Sequence, residues 1–267
     1  MNLFALVIFM NRLFSIVFLF YILLKSLAFR MGTLQRRIDE YRLLQTDVSE
    51  EDVYALAKIC RLLHLPQKIL GVSIHNFYHA KAQIQIEPDD IVLLSACIDL
   101  ACRTSEVVRP LEKILGLVAC HYALDVPDDI VPMYIECIDK TEVDICLCLD
   151  FDFNFPDFYG RLETLCKENV LNMSYSRRCW IMISDILTAP VSLFFSVDDV
   201  VIGCIFVEFV ANQVRLNRKD KRNAAAVDED VVRSFSEFLN MPERNAEEYL
   251  FISAELLRIY HNKLFPV

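Results

Sequence analysis

Ten residues from Ile91 to Leu100 form an apolar run that only Ser95 and Asp99 interrupt. A helix that is apolar nearly all round belongs at the centre of a bundle, because a surface helix keeps one polar face. The run breaks abruptly into Arg103, Ser105, Glu106 and Arg109, so this buried helix surfaces at one end and presents charge there. Upstream, Ser49 followed by Glu50, Glu51 and Asp52 predicts an N-cap with acids in the first turn. Val53, Leu56, Ala57, Ile59, Cys60 and Leu63 then recur at helical spacing. Pro66 ends that helix and starts another at Gln67, which carries Ile69, Leu70, Val72, Ile74, Phe77 and Tyr78. Glu87–Asp90 caps the apolar run, and Val126–Asp129 is expected to open another short element. Between Val143 and Phe155 apolar and polar residues partly alternate among β-branched and aromatic side chains, and pattern alone reads a strand there.

Composition tilts the reading toward helices. The 267 residues include only five glycines, and 55% are apolar, enough for two cores. The formal charge of −10 opposes the phosphate backbone, so direct nucleic-acid binding is not expected. Ten cysteines form no CxxC pair, and Cys60, Cys97, Cys102, Cys137 and Cys204 lie in apolar runs where Cys acts as a small hydrophobe. This usage implies free thiols in a reducing compartment and no zinc site.

Residues 1–30 stand apart. Leu13–Leu24 contains no charge, and with Leu3–Met10 the apolar stretch passes twenty residues, broken by Asn11 and Arg12. That length can span a bilayer, although a central arginine costs about 2.5–3.5 kcal/mol on insertion scales. No basic residue precedes Leu3, and no small-x-small site follows Leu24, as a cleaved signal peptide requires. Three readings remain: a membrane anchor, a translated leader ahead of a start at Met31, or an extra helix on the bundle. A membrane is expected only through this segment. Without it the chain is more acidic still, since it holds Arg12, Lys25 and Arg30 and no acid.

Catalytic chemistry finds little support. The glycines at 32, 71, 116, 160 and 203 are each isolated, whereas a phosphate-cradling loop needs them clustered. His75 and His79 have the i, i+4 spacing of a metal pair, but no glutamate follows His75 as in zinc proteases; two partly exposed helix histidines are the plainer reading. Asp150 and Asp152 read as solvated loop carboxylates. No nucleophile, base and oxyanion hole come together, so neither a catalytic residue nor a cofactor is expected. Arg215, Arg218, Lys219, Lys221 and Arg222 form a basic cluster in an acidic chain, either a solvated loop or a nuclear-import or docking signal.

The residues around the central run resemble the cyclin box. The family pattern runs F-L-A-C-K-x-E-E-x-x-R-x-L-x-x-I-L, and Leu100, Ala101, Cys102, Arg103, Glu106, Arg109, Leu111, Ile114 and Leu115 match it. Arginine replaces the usual lysine, and Ser105 replaces the first glutamate. Asn76-Phe77-Tyr78 resembles the R-F-Y that ends the first box helix. Glu142, Leu149, Phe151 and Phe153 fit the fifth box helix and its extended exit, with Cys146 at a leucine position. In the second half, Cys179–Asp185 resembles A-W-x-x-x-N-D, and Thr188 and Leu193 continue the match. Val200–Val210 is the counterpart of the central run, and Leu256, Leu257 and Tyr260 fit the closing segment after an F-x-x-F at Phe235.

The resemblance covers about residues 50–262 and implies an all-α tandem cyclin fold of two five-helix bundles behind a hydrophobic leader. The expected division is a leader at 1–30, a helical extension at 31–48, a first box at 49–155 and a second repeat at 156–262. The implied role is non-catalytic: a regulatory subunit that binds and activates a cyclin-dependent Ser/Thr kinase in the nucleus. Arg103 and Glu142 would grip the kinase beside its αC helix, with Glu106 and Arg109 on the same face. An arginine fork differs in geometry from a lysine ammonium, and a plain structural ion pair is the alternative for these two residues. Pro66–Val72 lacks the M-R-x-I-L docking patch of cell-cycle members, so the chain looks closer to the transcriptional cyclins C, K, L and T. Two other readings stay open, a general transcription factor on the same fold and a membrane-anchored helical scaffold with no kinase.

Overall fold

The computed structural model describes residues 32–84, 88–169, 171–219, 234–235, 237–239 and 246–264, and the described residues are all helix, turn and coil. Residues 1–30 and the 220–222 part of the basic cluster lie outside them. The helices are α1 (Gly32–Asp47), α2 (Glu50–Leu62), α3 (Gln67–Gln83), α4 (Asp90–Thr104), α5 (Leu111–His121) and α6 (Val131–Cys148). They continue with α7 (Phe158–Glu168), α8 (Met173–Ile186), α9 (Val191–Phe194), α10 (Val197–Lys219) and α11 (Ala246–Leu264). The described residues form two compact units, one made of those within 39–155 and 187–193, the other of those within 32–38, 156–186 and 194–264.

In the first unit α4 is the axis. Every residue from Ile91 to Cys102 is buried, and α2, α3, α5 and α6 pack around it. Capping follows the sequence: Ser49 Oγ accepts from Glu51 N at 3.1 Å, and Asp89 Oδ1 accepts from Ile91 N at 3.1 Å, each satisfying an N–H that has no partner in the first turn. Two expectations need correction. The helix carrying Asn76-Phe77-Tyr78 is second in this bundle, because Glu50–Leu62 precedes it as a full helix. The Val126–Asp129 stretch does lead into an element, but that element is the 18-residue helix α6 rather than a short one.

The strand-like alternation at 143–155 dissolves into the end of α6 and a coil. Ile138, Thr141, Glu142, Ile145 and Leu149 are buried at a spacing of three to four, and that helical period aligns them on α4 where a two-residue period could not.

A chain so poor in glycine must close its helices another way. His64, Glu106 and Ala123 have φ of 53°, 57° and 53°, and Asp150 and Phe151 have 49° and 56°. At each of these ends two backbone N–H groups turn back onto the last helical carbonyls: Leu65 N to Cys60 O, Val107 N to Cys102 O, Leu124 N to Ala119 O and Phe151 N to Cys146 O, all at 2.9 Å. This is the left-handed helix stop that glycine usually fills, here accepted with a side chain at a cost of about 1–2 kcal/mol per residue.

The second unit repeats the plan. Val200–Val210 in α10 is buried, and α7, α8 and α11 pack against it. Gly203 lets α10 and α11 approach closely, since a Cβ there would lie 2.8 Å from Ile252 Cγ2 and 2.9 Å from Tyr249 O. The Ser253 hydroxyl donates to the Gly203 carbonyl at 3.0 Å. Leu256 and Leu257 are buried, and Tyr260 Oη donates to Asp185 at 2.8 Å, tying the closing helix to α8. Arg37 at the start of α1 pairs with Glu248, donates to Phe194 O at 3.2 Å and lies 5.5 Å from the Phe195 ring.

Candidate functional site

The charged end of α4 meets the middle of α6 in a cluster of four side chains. Arg103 is four residues after Asp99 on one face of α4, a spacing that stacks them one turn apart. Its Nε donates to Asp99 Oδ2 at 2.7 Å, and its Nη2 lies 2.6 Å from the same oxygen. Nη1 lies 3.4 Å from Glu142 Oε2, and Nη2 lies 3.9 Å from Asp139 Oδ1. The structure thus brings Arg103 and Glu142 together, but the shortest contacts of Arg103 are with Asp99. Asp99 and Glu142 are both buried, whereas the Arg103 side chain is 56% exposed.

Three carboxyl groups share one guanidinium here. Burial pushes the Glu142 carboxyl up to about 8, with the neighbouring Asp99 adding to the rise and Arg103 opposing it. Neighbouring carboxylates push Arg103 upward against its partial burial. Among the described residues, no N–H or O–H donor reaches Glu142 Oε1, although this oxygen is buried.

Glu106 and Arg109 lie in the turn after α4 and make no direct contact with the pair. Glu106 is exposed at the left-handed position. Arg109 donates to Val108 O at 2.8 Å and to Leu63 O at 3.4 Å, which pins this turn to the end of α2. Asp99 and Asp139 were not singled out as site residues by sequence. The signal for Asp99 was present, a lone acid inside an apolar run and four residues before an arginine. The signal for Asp139, an acid three residues before Glu142, is too common to stand out.

An apolar strip runs beside the cluster. Asp139, Val143 and Leu147 follow each other at i, i+4 along α6, and Val143 and Leu147 are 56% and 58% exposed. The strip continues into the exit segment with Phe151 and Phe153, whose rings meet edge-on at 6.4 Å and are also exposed. Val108, beside Arg109, is exposed as well. Five large apolar side chains in water around a fixed charge cluster are a form that partner surfaces take.

The other candidates have structural partners. His75 and His79 meet edge-on at 4.5 Å, and His75 Nδ1 is 3.0 Å from Ser192 Oγ. Burial and then His79 push the His75 imidazole down to about 3. Asp152 accepts from Asn154 N at 3.0 Å and serves its own turn, while Asp150 is exposed. All ten cysteines are free thiols. Among the described residues no helix is long and apolar enough to cross a membrane.

No family model and no curated protein matches this sequence. Among solved structures, the chain is similar to a chain of the yeast RNA Pol II CTD kinase CTDK-1 complex, with 14% identity and a TM-score of 0.57 over 86% of this chain and 82% of that one. It also matches a chain of the CAK complex from Chaetomium thermophilum bound to ATP-gamma-S, with 12% identity and a TM-score of 0.46 over 86% and 80%. With its two bundles built on α4 and α10, the chain has the all-helical tandem cyclin-type fold that its motif order implied.

Proposed function

We propose that this chain is a non-catalytic cyclin subunit that binds and activates a cyclin-dependent Ser/Thr kinase, acting in the nucleus on RNA polymerase II transcription. The observation that carries the reading is the α6 face. Two buried acids and an exposed guanidinium meet at a helix end, flanked by Val143, Leu147, Phe151 and Phe153 in solvent, at the place where the cyclin motif puts its kinase grip. A protein kinase works only when a glutamate on its αC helix pairs with the lysine that holds ATP phosphates. A partner that binds better to the kinase with αC held inward selects that state. Arg103 and Glu142 would meet the kinase backbone, Glu106 and Arg109 would lie at the edge of the contact, and the apolar strip would supply most of the buried area. The transcriptional branch is favoured because a chain with the same fold occurs in a complex that phosphorylates the RNA Pol II CTD.

The test is co-purification of the chain with cyclin-dependent kinases, followed by phosphorylation of a polymerase C-terminal-repeat peptide. A kinase that is inactive alone and active with this chain is the expected result. If the chain neither binds nor activates any member of a panel spanning the cell-cycle and transcriptional kinases, the proposal fails.

A further inference from the structure

Charge is segregated along this chain. Between Val53 and Ile86 lie Lys58, Arg61, Lys68 and Lys81 and no aspartate or glutamate, where a stretch of that length would hold about five at the average of 37 acids in 267 residues. Lys81 pairs with Asp90 at 3.5 Å. Lys58, Arg61 and Lys68 are exposed, as is Lys113 on α5, and among the described residues no carboxylate lies within ion-pair distance of any of the four. Exposed lysines elsewhere are neutralised locally: Lys140 holds Glu136 at 2.7 Å, and Lys167 holds Glu163 at 2.6 Å.

The four cations belong to one face of the first unit. Tyr54, Lys58, Arg61 and Leu62 follow at i, i+4, i+7 and i+8, which lines them along the outer side of α2. Tyr54 and Leu62 are 63% and 51% exposed. α5 runs back along α2, fixed at one end by Arg109 Nε donating to Leu63 O at 3.4 Å and at the other by Tyr122 Oη donating to Asp52 at 2.5 Å. The first turns of α3 and α5, which carry Lys68 and Lys113, therefore start beside the end of α2 that carries Arg61 and Leu62. Lys58 Nζ lies 3.3 Å from His121 Nδ1 at the end of α5.

Two of these lysines sit against their local electrostatics. A helix N-terminus carries a partial positive charge that favours acids and disfavours cations. α3 and α5 each open after a proline with no side-chain cap, yet Lys68 and Lys113 fall in their first turns. Glu112 is the one acid in these two turns, and it pairs with neither lysine. Local choices that oppose the stability of their own element are expected at functional positions.

We propose that this face docks an acidic protein segment, one in which aspartates and glutamates are interspersed with aromatic or aliphatic residues. The carboxylates of the segment meet Lys58, Arg61, Lys68 and Lys113, and its apolar side chains cover Tyr54 and Leu62. Charge complementarity selects this occupant. A nucleic-acid backbone offers no aliphatic groups for Tyr54 and Leu62, and as a long polyanion it is repelled by the rest of an acidic chain. A short acidic segment feels chiefly the local field, within about a Debye length of 8 Å. The surface is additional to the α6 face and does not rest on the kinase reading.

The test is fluorescence anisotropy of the full chain with a short labelled peptide of glutamates and aspartates carrying two leucines, at low and high salt. A version with lysines in place of the acids and a single-stranded oligonucleotide are the comparisons. The acidic peptide should bind, and bind less well as salt rises. Combining Lys58→Glu, Arg61→Glu and Lys68→Glu should cost at least about tenfold in affinity, since each exposed attraction becomes a repulsion. Tyr54→Ser with Leu62→Ser should weaken binding as well. Thermal melting should show these variants folded, and Lys68→Glu alone should melt above the native chain, because it places an acid at a helix N-terminus. Absence of acidic-peptide binding at low salt, equal binding of the lysine peptide, or binding that the triple reversal leaves intact overturns the proposal. So does tighter binding of the oligonucleotide, or self-association of the chain that the reversal abolishes, since each assigns the face to a different occupant.

Discussion

The most direct probe of the docking face removes its apolar strip without touching the core. Val143 and Leu147 expose 56% and 58% of their surface on α6, so a little over half of each residue's burial free energy is still to be gained from a partner. Full burial of such side chains is worth about 1.5–3 kcal/mol each, so the remaining share is about 1–1.5 kcal/mol apiece. The double variant Val143→Ala, Leu147→Ala should therefore weaken kinase binding by about 2–3 kcal/mol, or roughly 30- to 150-fold. Its own stability should stay within about 0.5 kcal/mol, because these side chains leave no cavity behind. Leu94→Asp is the contrast. Leu94 is 0% exposed at the centre of α4, and an unpaired charge there should unfold the first bundle. Titration calorimetry against the kinase, with thermal melting alongside, separates the two effects. If the double alanine variant melts normally and binds with unchanged affinity, the α6 strip is not the docking face, and the cluster beside it loses its assigned role.

Two glycines test the packing with one substitution and opposite signs. Gly203→Ala should cost about 1–3 kcal/mol in urea unfolding, since the new Cβ meets Ile252 and the Tyr249 carbonyl. Gly116→Ala, with nothing within 4 Å on the exposed side of α5, should stabilise by about 0.5–1 kcal/mol; the same sign for both would contradict the close α10–α11 approach. The histidine pair predicts a pH dependence. His75 is held at about 3 in the folded chain against an ordinary value of 6.5, so between these values the unfolded chain binds more protons. Stability should therefore fall as pH drops from about 6.5 toward 3, and His75→Gln should shallow that slope in melting curves recorded from pH 7 to 4.

Much of the fold was legible because it rests on one-dimensional signals. The α4 and α10 runs are apolar all round, so their central places followed from composition of a window. Ser49 and Asp89 capped where an acid or hydroxyl preceded a periodic stretch. The α6 segment shows the limit of pattern alone: its partial alternation imitates a strand, and the buried set Ile138, Glu142, Ile145 and Leu149 becomes visible only when the helix is anchored at Val131. The helix ends were hidden for a related reason. His64, Glu106 and Ala123 adopt the left-handed stop that is usually signalled by glycine, so the turns carry no compositional mark.

The site was less legible, because charge partnership depends on distances that spacing constrains only weakly. Arg103 and Glu142 are thirty-nine residues apart, and only the packing of α6 on α4 decides whether they meet. Arginine at position 103 matters more than a change of cation. A lysine ammonium is a point charge that can turn toward any acceptor, whereas a guanidinium presents a planar fork. Here two arms of the fork, Nε and Nη2, fall on Asp99 and the third reaches Glu142 at a longer distance. The arginine and Asp99 therefore form one unit. Asp99 supplies a carboxylate that suits the fork, and the fork in turn lets a buried acid sit beside Glu142. Lysine at position 103 would put one ammonium in place of a fork whose arms meet Asp99 and Glu142 separately, so the substitution that looks most conservative by family pattern should not reproduce both contacts.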